Sequence, residues 1–146
     1  MCNEQFVESK REMEALGLLI AKSIDPGNIV FIQGDLGSGK TTIARGILHG
    51  FGYEGVVTSP TYTLVELYEL VKFRVAHMDL YRIESTEELE AIGLRDYFDG
   101  QTIFLIEWPE QFSFFFPKPN LRIYLKLAGE GRKVWIEHLK PKYVEL

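Results

Sequence analysis

The chain has 146 residues, with 16 Lys and Arg against 21 Asp and Glu, giving a formal net charge of −5. Its 46 % hydrophobic and 25 % charged content is that of a globular protein and excludes disordered, collagen-like and low-complexity classes. The length suits one domain, residues 1–146, burying roughly 70 % of its unfolded surface, and the acidic balance disfavours a surface that holds nucleic acid alone.

Cys2 is the sole cysteine, so no internal disulfide forms, and no Cys/His spacing suggests zinc. It reads as a terminal residue of no consequence. Residues Met1 to Arg11 mix charges without an apolar h-region, so no signal peptide is visible. Apolar stretches such as Ile103 to Ile106 fall far short of the ~18 residues that span a bilayer. The expectation is a cytoplasmic protein with no membrane partner.

In chain order, Phe6 and Val7 form a short leading strand. Ser9 with Glu12 makes a capping box, and Met13, Leu16, Ile20 and Ile24 recur at helical spacing. Asp25-Pro26-Gly27 stops that helix. Ile29 to Ile32 is a short β-branched run and reads as a buried strand. A glycine-rich loop follows, and Ile43, Ile47 and Phe51 then mark a helix ended by Gly50 and Gly52. Ser59-Pro60-Thr61 is a turn or loop. Tyr62 to Leu70 and Phe73 to Met78 predict two strands around a short turn. Ser85 with Glu88 is a second capping box, opening a short helix through Leu89 and Ile92. Ile103 to Ile106 is an apolar run ending at Glu107. Leu121, Ile123, Leu125 and Leu127 alternate with Arg122, Tyr124 and Lys126, as in a half-buried strand. Gly129-Glu130-Gly131 and the Val134/Ile136 alternation complete a hairpin. The sum is an α/β fold: a P-loop NTPase-type mixed sheet flanked by helices, with antiparallel strands toward the C-terminus.

Gly34-Asp35-Leu36-Gly37-Ser38-Gly39-Lys40-Thr41 matches G-x-x-x-x-G-K-[ST] at every fixed position. Glycines let successive backbone N–H groups curl toward phosphate oxygens. The helix starting near Lys40 aims its positive end at the same place. Lys40 is expected to reach the β- and γ-phosphates, and the Thr41 hydroxyl to coordinate Mg²⁺. Such a loop needs carboxylates nearby, and two stand at strand ends, Asp79 and Glu107, where open α/β sheets gather their ligands.

Other residues keep two readings. Ser59 and Thr61 suit a switch segment that senses the γ-phosphate, or merely a turn. His77 is a general base or a structural histidine within a strand. Phe112, Phe114, Phe115 and Phe116 are packing residues or an exposed partner patch. Lys118, Arg122, Lys126, Arg132 and Lys133 form a basic patch or a solvated face.

Four segments together carry a specific resemblance: Gly34 to Thr42, Ser-Pro-Thr-Tyr at 59–62, His-Met-Asp-Leu-Tyr-Arg at 77–82 and Ile-Glu-Trp-Pro-Glu at 106–110. In this order the chain closely resembles the TsaE (YjeE) family over nearly its whole length. The resemblance implies a small bacterial Mg²⁺-dependent ATPase required to form threonylcarbamoyladenosine beside the anticodon of tRNA. It implies TsaB and TsaD as protein partners, with tRNA met through that complex. By position, Gly37, Ser38, Gly39, Lys40, Thr41 and Thr42 would hold the ATP phosphates, and Thr41 and Glu107 the Mg²⁺. Asp79 would be the second acidic residue needed for hydrolysis. Arg132 would touch the nucleotide, Ser9 would lie on the adenine side, and Trp108 is a family marker. Ser38 stands where many members have Ala.

A small-molecule kinase with the same loop is the alternative. It needs an acceptor pocket and a lid with arginines, whereas residues 93–120 contain Arg95 alone. No N-K-x-D element favours guanine, and a sensor that binds without hydrolysing is the remaining possibility.

Overall fold

The computed structural model describes residues 2–139 and places seven strands in one sheet. In chain order these are β1 (Cys2–Val7), β2 (Ile29–Gly34), β3 (Val65–Glu69), β4 (Arg74–Asp79), β5 (Thr102–Glu107), β6 (Leu121–Ala128) and β7 (Gly131–His138). The α-helices are α1 (Lys10–Ile20), α2 (Lys40–Gly50) and α3 (Thr86–Ile92). The sheet order is β1-β7-β6-β2-β5-β4-β3. The inner strands β6, β2, β5 and β4 run parallel. Antiparallel strands flank them, β3 on β4 at one edge and β7 then β1 at the other. This is the mixed α/β sheet expected from the sequence.

Strand periodicity divides the core between two faces. Val30 and Ile32 of β2 and Ile103 and Leu105 of β5 pack with α1 and α2 residues such as Met13, Ile43 and Ile47. Ile29 and Phe31 of β2 and Phe104 and Ile106 of β5 face the other way, against Leu89, Leu94, Phe112, Phe115 and Phe116. Both faces of β2 and β5 are thus covered, which explains their unbroken apolar runs. Phe112, Phe115 and Phe116 are packing residues, whereas Phe114 is 73 % exposed.

Helices α1 and α2 approach closely through two glycines. A Cβ on Gly17 would collide with the Ile43 carbonyl, and one on Gly46 with the Glu14 carbonyl. Glycine therefore sets the depth to which α1 settles on α2, and so brings Ser9 near the start of α2. Ser9 caps α1 by accepting from Glu12 N at 3.1 Å, while Glu12 Oε1 accepts from Glu8 N at 2.8 Å.

Local details differ from the sequence expectation. β1 extends back to Cys2 because β7 supplies ladder partners from Cys2↔Glu137 to Val7↔Arg132. α1 ends at Ile20 and tightens into a 3₁₀ turn at Ala21–Ser23, so Ile24 is buried beyond the helix. The strand expected from Tyr62 begins only at Val65. There, Leu64 N donates to Pro60 O at 2.8 Å and Leu64 takes φ 72°, a left-handed turn that extended backbone cannot contain. Ser85 occupies the N-cap of α3 but makes no side-chain cap, and Glu88 Oε2 instead accepts from Glu84 N at 3.0 Å. Among the described residues no helix is long and apolar enough to cross a membrane.

Candidate nucleotide site

Because β2, β4 and β5 are parallel, their carboxyl ends share one edge of the sheet. Register then places Ile32 beside Glu107, and Glu107 beside Asp79. The glycine-rich loop leaves β2 at that edge. Gly37 (φ 77°) and Gly39 (φ 106°) adopt left-handed backbone that a Cβ would strain. Gly39 offers no side chain to cap α2, so the first-turn N–H groups and positive end of the helix are left for an anion.

A cavity of about 480 Å³ opens there, within the range of small-molecule sites. Gly37, Gly39, Lys40, Thr41 and Thr42 line it from the loop and α2, and Asp79 and Glu107 from the strand ends. Ser9 lines it from the start of α1 and Arg132 from β7. Ser9 therefore combines its capping role with a place at the cavity. Arg132 also holds the loop, its guanidinium donating to Gly37 O at 3.1 Å. Ser38 differs from the other expected phosphate residues. Its side chain is fully buried, it does not line the cavity, and its N–H donates to Asp35 O at 3.1 Å.

Lys40 is 5 % exposed, and its Nζ donates to Gly34 O at 2.8 Å and Asp35 O at 2.9 Å. It also lies 4.3 Å from the centroid of the Trp108 ring, a cation–π contact. Burial pushes the Lys40 pKa below the ordinary lysine range, opposed first by the charge of Glu107 and then by Asp79. The ammonium is thus held at the cavity by neutral carbonyls, and an anionic phosphate would be a stronger partner.

Glu107 is buried. Its Oε2 accepts from Thr41 Oγ1 at 3.1 Å and lies 2.7 Å from His77 Nε2. Asp79 Oδ1 accepts from Tyr81 N at 3.0 Å. Burial pushes the Asp79 pKa above the ordinary carboxylate value; the Tyr81 N–H opposes this and the nearby Glu107 charge adds to it.

The donors present fit Mg²⁺. Thr41 and Glu107 offer a hydroxyl and a carboxylate already within 3.1 Å of each other, the hard oxygen ligands that this ion takes. Among the described residues no group of three His, Cys, Asp or Glu forms a metal cage. A cation here would share its shell with water and phosphate oxygens, as Mg²⁺ does in nucleotide sites.

Two residues whose roles the sequence left open also line the cavity. Trp108 has φ 58°, lies tilted against Tyr81 (ring centroids 4.7 Å apart, planes at 50°) and faces the Lys40 ammonium. A positive φ on a bulky residue beside the buried Glu107 carboxylate marks a constrained backbone, but only backbone angles reveal it. Thr61 also lines the cavity, and its hydroxyl lies 2.7 Å from that of Ser59. His77 lies behind the cavity wall, against Glu107.

The strand–loop–α2 unit, the parallel inner strands and the acidic strand ends define an α/β domain of the P-loop NTPase type. The family model described as "Threonylcarbamoyl adenosine biosynthesis protein TsaE" matches residues 7–134, and the chain belongs to the TsaE family. It is 41 % identical over 117 residues to the tRNA threonylcarbamoyladenosine biosynthesis protein TsaE of Haemophilus influenzae, covering 80 % of this chain and 74 % of that protein. The Bacillus subtilis protein of the same name is 38 % identical over 122 residues, covering 84 % of this chain and 76 % of its own. The crystal structure of Bacillus subtilis YdiB superposes with a TM-score of 0.81 at 29 % identity, over 99 % of this chain and 90 % of that one.

Proposed function

We propose that this protein is a single Mg²⁺-dependent P-loop ATPase domain that acts in the cytoplasm in the formation of threonylcarbamoyladenosine on tRNA, as the ATP-hydrolysing partner of a TsaB–TsaD complex. The observation that carries the ATPase reading is the meeting of Lys40, Thr41, Asp79 and Glu107 around one cavity at the start of α2. The names of the relatives support the pathway. The TsaB–TsaD partnership rests on the family resemblance, and it leaves tRNA contacted through the complex.

Each residue has a definable task. The N–H groups at the start of α2 and the Lys40 ammonium bind the phosphates and stabilise charge on the γ-phosphoryl oxygens. Thr41 and Glu107 would hold Mg²⁺, which when bound neutralises phosphate charge. Asp79 lies beside Glu107 in the sheet register and would orient the attacking water. Arg132 keeps Gly37 in position.

The test is phosphate release from ATP by the purified protein, alone and with TsaB and TsaD, with and without Mg²⁺. Mg²⁺-dependent release that rises with the partners is expected. Faster transfer to a small-molecule acceptor than to water would favour the kinase alternative instead.

A further inference from the structure

We infer that His77 is a positioning residue that fixes the Glu107 carboxylate for cation binding, an inference that rests on the Mg²⁺-dependent nucleotide reading above. Strand alternation puts His77 and Asp79 on the face of β4 that also carries Val75, turned toward α1 and α2. Leu105 and Glu107 occupy the same face of β5. The register pairs His77 with Leu105 and Asp79 with Glu107, so His77 reaches Glu107 along the diagonal. The result is a 2.7 Å contact between two side chains exposed by only 0 % and 3 %.

This geometry separates the readings that the sequence left open. A general base must reach the proton it takes, directly or through one water. His77 has no exposed surface and does not line the cavity. A purely structural buried histidine is expected to satisfy both ring nitrogens. Here Nδ1 has no partner among the described residues, and the ring spends its bond on Glu107. With Nε2–H donating to the carboxylate, Nδ1 is left as a bare acceptor.

Glu107 needs such a partner. Among the described residues its other side-chain hydrogen bond comes from the Thr41 hydroxyl, which itself lines the cavity and would share the cation. Without His77 a three-torsion side chain would lose its fixed anchor at the moment it becomes a ligand. Partners that orient metal ligands in this way typically change metal affinity or activity by about 10- to 100-fold.

The test compares wild type, His77→Asn and His77→Gln by the Mg²⁺ dependence of binding a non-hydrolysable ATP analogue, with thermal melts as fold controls. The expected result is about a 10- to 100-fold rise in the half-saturating Mg²⁺ concentration for the Asn protein. Binding in EDTA should be unchanged, and Gln, whose amide nitrogen reaches the position of Nε2, should restore most of the loss. A folded Asn protein with wild-type Mg²⁺ dependence would overturn the inference. If the Asn protein does not fold, ¹⁵N NMR of the wild-type imidazole decides. A protonated Nε2 that responds to Mg²⁺ and analogue supports the role, and a protonated Nδ1 with bare Nε2, or no response, overturns it. Wild-type protein that binds the analogue without any Mg²⁺ dependence would instead overturn the cation reading itself.

Discussion

Replacing Glu107 by Ala and by Gln separates what this carboxylate does for the fold from the catalytic role proposed for it. In the ligand-free protein Glu107 accepts from Thr41 Oγ1 at 3.1 Å and contacts His77 Nε2 at 2.7 Å. Ala removes both acceptors and leaves a buried His77 donor unpaired, which costs about 1–3 kcal/mol. Thr41 can turn to solvent in the cavity, so its loss adds little. Relief of repulsion with Asp79 offsets part of the loss. A net destabilisation of about 2 kcal/mol corresponds to a fall of roughly 4–8 °C in Tm for a chain of this size. Gln keeps an oxygen acceptor for His77 and should melt within about 1 kcal/mol of wild type. Both variants lose the charged oxygen ligand, and Mg²⁺-dependent turnover should fall by about 10²-fold or more, or about 2.7 kcal/mol of barrier. Thermal melts without nucleotide and ATPase assays across Mg²⁺ concentrations measure the two effects. Wild-type turnover in the Gln protein would refute the ligand role, and an unchanged Tm in the Ala protein would refute the packing of Glu107 against His77.

Asp79→Asn should stabilise the ligand-free protein at about pH 7 while lowering turnover by about 10²-fold or more. The folded-state pKa of Asp79 lies above its ordinary value of 3.8, so the penalty for ionising it is absent below that value. The penalty grows as pH rises through the raised folded-state pKa. Urea melts should therefore show the Asn advantage shrinking as pH falls toward about 4. Gly17→Ala places a methyl against the Ile43 carbonyl and should cost about 1–3 kcal/mol by forcing α1 off α2, read as a lower denaturation midpoint.

Much of this site was legible in the sequence because its signals are local. The loop from Gly34 to Thr41 has fixed spacing, with a strand before it and a helix after it, and Lys40 and Thr41 follow from that order. Asp79 and Glu107 stood out because each ends an apolar run, and parallel pairing brings such ends together. What sequence could not supply was register. His77 acquires meaning only when β4 is set against β5 so that it reaches Glu107 diagonally. Trp108 likewise depends on a positive φ that turns its ring over Lys40. The left-handed Leu64 shortened β3 against a β-rich pattern, a case of one backbone angle overriding propensity. Ser38 sat within the motif, yet its side chain packs inward beside Gly34 rather than facing the cavity.

The proposed function requires that the cavity beside α2 bind ATP through Lys40. Calorimetric titration of ATP with Mg²⁺ into wild type and into folded Lys40→Ala tests it most directly. Wild type is expected to show saturable, Mg²⁺-dependent binding that is abolished in the variant. Equal binding by both proteins, or none by wild type, would contradict it.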